Sequence, residues 1–119
     1  MDTYDVSKYR ALTITGAQMV NEEVLRLTLD STTVVDIFDN GQSCCESRYM
    51  TTDDDVSSLI GGKLIHITAK DGPNGDAFED ECHETMFVEV ATDKGFITLV
   101  THNEHNGYYG GFALKVMER

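Results

Sequence analysis

The chain has 119 residues, of which 40% are hydrophobic and 25% charged, a balance typical of a globular protein and not of a disordered segment. Nine Lys and Arg residues against 21 Asp and Glu residues give a formal net charge of −12, which argues against direct binding of DNA or RNA and against attraction to an anionic membrane surface. No apolar run approaches the roughly 20 residues that a membrane span requires and no signal peptide is recognisable, so we expect a single cytoplasmic, soluble domain over residues 1–119.

Apolar residues alternate with polar ones along most of the chain, the pattern of half-buried β-strands. The alternating segments are, in chain order, Leu12 and Ile14; Leu25, Leu27 and Leu29; Val34 to Phe38; Ile65 and Ile67; Met86, Val88 and Val90; Ile97 and Leu99; and Phe112, Leu114 and Val116. Asp30-Ser31 and Asp93-Lys94-Gly95 can form short hairpin turns between such segments. The pattern predicts a mainly β protein, at the border of α+β, with an antiparallel sheet of about six to eight strands.

One short helix is predicted near residues 53–60. Thr52 can cap its N-terminus, and Asp53 to Asp55 would lie in the first turn, where the helix dipole favours negative charge. Gly61 and Gly62 can end it. The apolar residues predicted to face the sheet are Val56, Leu59 and Ile60.

Two adjacent cysteines, Cys44 and Cys45, precede Glu46 directly after the turn at Asp39-Asn40-Gly41. We expect thiols, because three cysteines cannot all pair within one chain. Neighbouring side chains of a strand point to opposite faces, so the pair is a poor metal clamp. Although Cys82, His102 and His105 are further potential zinc ligands, no closely spaced cysteine pair and no Cys-His signature frames them. We therefore predict no metal, no cofactor and no enzyme activity.

A second cluster, Thr101 to Gly111, combines His, Asn, Tyr and Gly and is predicted to connect the last two strands. Asn and His side chains carry hydrogen-bond donors and acceptors, Tyr offers a flat face with a polar tip, and glycines let a ligand approach the backbone closely. Such a loop suits a planar polar ligand. The structural alternative is a long hairpin connection that turns at Asn106-Gly107, with tyrosines packed over the sheet edge.

The stretch from residue 71 to residue 93 contains many acidic side chains and no Lys or Arg. We expect its first half to be a solvated loop. It either keeps the protein soluble or offers an acidic patch to a basic partner.

Two stretches, Asp39 to Glu46 with its Cys44-Cys45-Glu46 and Asn106-Gly107-Tyr108-Tyr109, together resemble the landmarks of a family of small bacteriophage proteins of unassigned function. The resemblance covers about Leu12 to Val116. The same landmarks are similar to those of a Thoeris anti-defence family, which are phage sponge proteins that sequester cyclic ADP-ribose signals without cleaving them. Some members of that family also trap cyclic oligonucleotide signals.

The resemblance implies a β-rich homo-oligomer in the cytoplasm of an infected bacterium, with pockets for a small cyclic nucleotide where subunits meet. The candidate ligand contacts are Asn106, Tyr108, Tyr109 and His105 for the base or ribose, and Arg48 for a phosphate. Cys44, Cys45 and Glu46 are implied to shape the subunit core. The charge of −12 leaves an alternative open, an acidic inhibitor that binds a basic, nucleic-acid-binding host defence protein.

Overall fold

The prediction of a mainly β protein is confirmed. The computed structural model describes residues 2–41, 46–71, 82–105 and 112–119, which form nine strands and two short 3₁₀ turns. The strands are β1 (Asp2–Tyr4), β2 (Ile14–Val20), β3 (Val24–Leu29), β4 (Thr33–Asp39), β5 (Glu46–Thr51), β6 (Leu64–Asp71), β7 (Cys82–Thr92), β8 (Gly95–His105) and β9 (Leu114–Glu118). The 3₁₀ turns are Ser7–Tyr9 and Val56–Leu59.

The strands are divided between two antiparallel sheets. The four-stranded sheet has the order β2-β3-β4-β9, and the five-stranded sheet has the order β1-β6-β7-β8-β5. One hydrophobic cluster draws on both sheets, with Leu27 of β3 and Leu99 of β8 fully buried within it. The period-two pattern explains this arrangement, because each strand places alternate side chains in the common core.

The predicted hairpin turn at Asp30-Ser31 is confirmed. Both residues have positive φ, 49° and 61°, as a type I′ turn between two twisted strands requires. The turn is anchored just before β2, where the Asp30 carboxylate accepts from the Thr13 backbone N–H at 2.9 Å. A second hairpin, also predicted, joins β7 to β8 through Asp93-Lys94, with Thr92 paired to Gly95.

The predicted helix is a single 3₁₀ turn. Its N-cap is Asp55, whose carboxylate accepts from the Ser57 backbone N–H at 3.0 Å. The prediction of Thr52 as the cap was wrong, because its hydroxyl donates to the Thr98 carbonyl at 2.7 Å and so ties the chain to β8. The backbone is extended again at Ile60, which leaves that side chain 45% exposed and not against the sheet.

A β-bulge changes the predicted pattern of β6. The register shifts between Leu64 and His66, so two residues of β6 lie opposite one of β7. Leu64 and Ile67 are therefore both fully buried, whereas Ile65 is 41% exposed. The prediction that Ile65 and Ile67 share a face was wrong for this reason.

Candidate functional site

The strand register brings together the described residues that flank the two sequence clusters. Glu46, which follows residues 42–45, is paired with His105, which precedes residues 106–111. His105 is also paired with Cys82, at the start of β7. These three paired positions define one end of the five-stranded sheet, which we call the motif end.

The second cluster begins inside a strand and not in a loop, which corrects the sequence-based expectation. β8 continues to His105, so Thr101, His102, Asn103 and Glu104 alternate between the two faces of the sheet. Thr101 and Asn103 face the core and are 1% and 0% exposed. β8 is a central strand, paired on one side with β7 and on the other with β5.

A buried ion pair joins the two sheets beside the motif end. Nη1 of Arg48, on β5, donates to Oδ2 of Asp39, at the end of β4, at 2.7 Å. The side chains are only 10% and 5% exposed, respectively. Breaking a charged pair this well shielded from water by removing one partner is strongly destabilising.

The Asp39 carboxylate also fixes the backbone on both sides of the ion pair. Its Oδ1 accepts from the N–H groups of Gly41, at 3.0 Å, and Ala113, at 2.9 Å. Gly41 immediately precedes residues 42–45, and Ala113 lies just beyond residues 106–111. One carboxylate therefore holds described residues next to both sequence clusters.

Gly41 has no room for a side chain. A Cβ there would lie 2.2 Å from Nη1 and 2.4 Å from Cζ of Arg48. The guanidinium thus packs directly on the Gly41 backbone, in a position that the ion pair fixes.

A cavity of about 220 Å³ lies beside this ion pair. Arg48 and Asp39 line it together with Tyr49 and Thr101. The Thr101 hydroxyl is buried and has no hydrogen-bond partner among the described residues. Because a buried polar group is normally satisfied, this hydroxyl suits a water molecule or a polar ligand atom in the cavity.

An aromatic stack lies on the outer face of the same strands. The rings of Tyr49 and His102 are parallel within 9°, with centroids 4.5 Å apart. Nε2 of His102 lies 2.8 Å from the Thr51 hydroxyl. Burial and a hydrogen bond to the Glu104 carboxylate raise the pKa of Tyr49 to about 12, so its phenol stays protonated above the pH at which an unperturbed tyrosine ionises.

The comparisons with known proteins identify a family but no activity. A domain of unknown function, DUF7448, matches residues 6–114. The chain belongs to the DUF7448 family. No curated protein and no solved structure matches the chain.

The structure describes only part of the predicted site of this DUF7448 domain. Arg48 is placed in full, at the buried ion pair. Glu46 and His105 are placed by their backbone, opposite each other at the motif end. The candidates that lie outside the described residues are Cys44, Cys45, Asn106, Tyr108 and Tyr109.

Sequence reasoning did not assign three residues of the candidate site. Asp39 was placed in the first cluster as a turn residue, Tyr49 was not proposed as a ligand contact, and Thr101 was placed only as the first residue of the second cluster. No local signal could have predicted that Asp39 pairs with Arg48, since the two residues lie in different sheets. Thr101 is buried because β8 extends to His105. The polar composition of residues 101–105 gives no sign of a strand.

Among the described residues of the DUF7448 domain, no group of three or more His, Cys, Asp or Glu side chains could hold a metal ion. Within the same residues, no helix is long and apolar enough to cross a bilayer.

Proposed function

We propose that the protein is a bacteriophage anti-defence protein that sequesters a cyclic nucleotide immune messenger, of the cyclic ADP-ribose type or a cyclic oligonucleotide, without cleaving it. The observation that carries the proposal is the pairing of Glu46 with His105. It brings the flanks of Cys44-Cys45-Glu46 and of Asn106-Gly107-Tyr108-Tyr109 to one end of one sheet. The two motifs that support the resemblance can therefore act on a single ligand.

The cavity beside Arg48 supplies part of the proposed site. Its volume of about 220 Å³ is below the roughly 300–1,000 Å³ of pockets that bury a whole small-molecule ligand. The proposal therefore requires that residues 106–111 and a second subunit enclose the rest of the nucleotide. In this arrangement Tyr108 and Tyr109 stack on the base, and Asn106 and His105 contact the base or ribose.

Arg48 is the proposed phosphate contact. A guanidinium carries five N–H donors in a planar fork, so it can hold a carboxylate and a phosphate at the same time. Asp39 occupies Nη1 and fixes the orientation of the side chain. The role of Asp39 in this proposal is to position Arg48 and the backbone at Gly41 and Ala113, and not to contact the ligand.

The test is equilibrium dialysis of the purified protein against cyclic ADP-ribose isomers and cyclic di- and trinucleotides, followed by denaturation and chromatography of the released ligand. We expect one nucleotide class to be retained in stoichiometric amount and released intact. Tyr108→Ala and Asn106→Ala should abolish retention, whereas Phe96→Ala, which removes a 63% exposed ring elsewhere, should not. Retention that survives both site substitutions contradicts the site assignment, and a cleaved product contradicts sequestration.

An acidic inhibitor of a basic host protein is the second candidate. The observation in its favour is that several cations of the chain are already neutralised. Arg26 and Arg119 both pair with Asp36, Arg48 pairs with Asp39, and Lys8 pairs with Glu118. If the protein ignores every nucleotide but retains a nucleic-acid-binding protein that salt releases, this second function replaces the first.

A further inference from the structure

A larger cavity lies on the outer face of the five-stranded sheet, away from the core. It has a volume of about 470 Å³, within the usual range for ligand pockets. Its lining residues come from β6, β7 and β8: His66, Thr68, Lys70, Phe87, Glu89 and Thr98. These side chains alternate along the strands with buried core residues such as Val88 and Leu99, so the cavity is on the opposite face from Arg48.

An aromatic ring and a cation lie side by side at one end of this cavity. Phe87 and Lys70 are directly paired across β6 and β7, so their side chains are neighbours on the same face. Phe87 is half-buried and Lys70 is exposed. Lys70 makes no ion pair with any described residue, so its ammonium group can pair with an anion brought by a ligand.

A row of polar groups crosses the middle of the cavity. Glu89 is paired with Thr68 on one side and with Thr98 on the other. Nε2 of His66 lies 2.8 Å from Oε2 of Glu89. A carboxylate can accept several hydrogen bonds, so Glu89 can also accept from an N–H edge of a ligand.

We infer that this cavity binds an adenine mononucleotide. The adenine ring packs on Phe87, its exocyclic amine donates to Glu89, and the phosphate pairs with Lys70. A purely apolar ligand would leave the polar row unsatisfied, and a ligand without a planar ring would leave Phe87 uncovered. The inference does not rest on the proposed function, because its residues lie on the other face of the sheet.

The test is titration of the ¹⁵N-labelled protein with adenosine 5′-monophosphate, followed by backbone amide NMR shifts. Adenosine and ribose 5-phosphate, which each carry half of the recognition features, serve as comparison ligands. We expect adenosine monophosphate to shift the amides of residues 66–70 and 87–89, and each half-ligand to bind at least about tenfold more weakly.

Two substitutions with matched controls assign the contacts. Lys70→Gln and Phe87→Leu should each weaken adenosine monophosphate binding about tenfold. Lys115→Gln, an exposed lysine of β9, and Phe96→Leu, an exposed ring outside the cavity, should leave it unchanged.

Absence of shifts at residues 66–70 and 87–89 at millimolar ligand overturns the inference, as does equal binding by the wild type and Lys70→Gln. Shifts confined to the neighbourhood of Arg48 also overturn it, while they support nucleotide binding at the motif end. A failure of this inference can be distinguished from a failure of the motif-end proposal. Tyr108 is a contact in the motif-end proposal only, so Tyr108→Ala should not alter binding of adenosine monophosphate to the outer cavity.

Discussion

Loss of the Asp39 charge should destabilise the protein strongly. Asp39→Asn keeps the shape of the side chain but removes the carboxylate charge that pairs with the Arg48 guanidinium, whose side chain is 10% exposed. The amide also presents one carbonyl oxygen where the carboxylate serves Gly41, Ala113 and Arg48 through two oxygens. Breaking a buried ion pair on one side costs about 3–5 kcal/mol, so we expect the free energy of unfolding to fall by about that amount.

The assay is urea unfolding followed by circular dichroism, with the slope of the transition used to check that the unfolded surface is unchanged. Glu118→Gln is the matched control, since it removes the charge that pairs with Lys8, where the side chains are 45% and 68% exposed, and keeps an oxygen that can accept from the Tyr9 hydroxyl. An exposed pair of this kind contributes about 0–1 kcal/mol.

A double variant separates the ion pair from the backbone contacts of Asp39. In Asp39→Asn/Arg48→Met no buried cation is left, so its loss of stability should be smaller than the sum of the two single losses by about 0.5–3 kcal/mol. A loss below about 1 kcal/mol for Asp39→Asn, or strictly additive losses, would refute the reasoning that the pair is buried and coupled.

Three further substitutions test local features. Gly41→Ala should lower the free energy of unfolding by about 1–3 kcal/mol, because its Cβ would lie 2.2 Å from a guanidinium nitrogen held in an ion pair. In the same urea assay Gly16→Ala should lower the free energy of unfolding much less, because the side-chain atoms nearest to its Cβ would be 3.4 Å away. Tyr49, with its pKa raised to about 12, should make the unfolding free energy fall between about pH 10 and 12, because the unfolded phenol ionises first. Absorbance titration should show a late-ionising phenol that Tyr49→Phe removes, and loss of a phenol that ionises near pH 10 in Tyr49→Phe would contradict this. Ser31→Gly should raise the midpoint of thermal unfolding, because serine is strained at φ 61°. Ser58 does not have positive φ, so Ser58→Gly should not raise the midpoint. A lower midpoint for Ser31→Gly would contradict the strain argument.

The sequence predicts the strands well because burial on one face imposes a period of two. Leu25, Leu27 and Leu29 are all fully buried, as their alternation predicts. The turns follow from local chemistry, and Asp30-Ser31 is an example in which short polar residues adopt positive φ. Strands and turns of this kind depend on residues that are close in the sequence, so one amino-acid sequence is enough to predict them.

The division into two sheets and the site depend on contacts between distant residues. Alternation does not distinguish one sheet from two, because a strand buries one face in either case. The bulge between Leu64 and His66 also leaves no clear local signal. The Arg48–Asp39 pair connects β5 to β4, and no spacing rule predicts which cation meets which carboxylate across a core.

Native mass spectrometry tests the central claim, nucleotide sequestration, most directly. The protein is measured alone and then with cyclic ADP-ribose isomers and cyclic di- and trinucleotides. The proposal predicts an oligomer that gains a stoichiometric nucleotide mass and releases the same mass, uncleaved, on denaturation. A species that binds none of these nucleotides, in any oligomeric state, would contradict it.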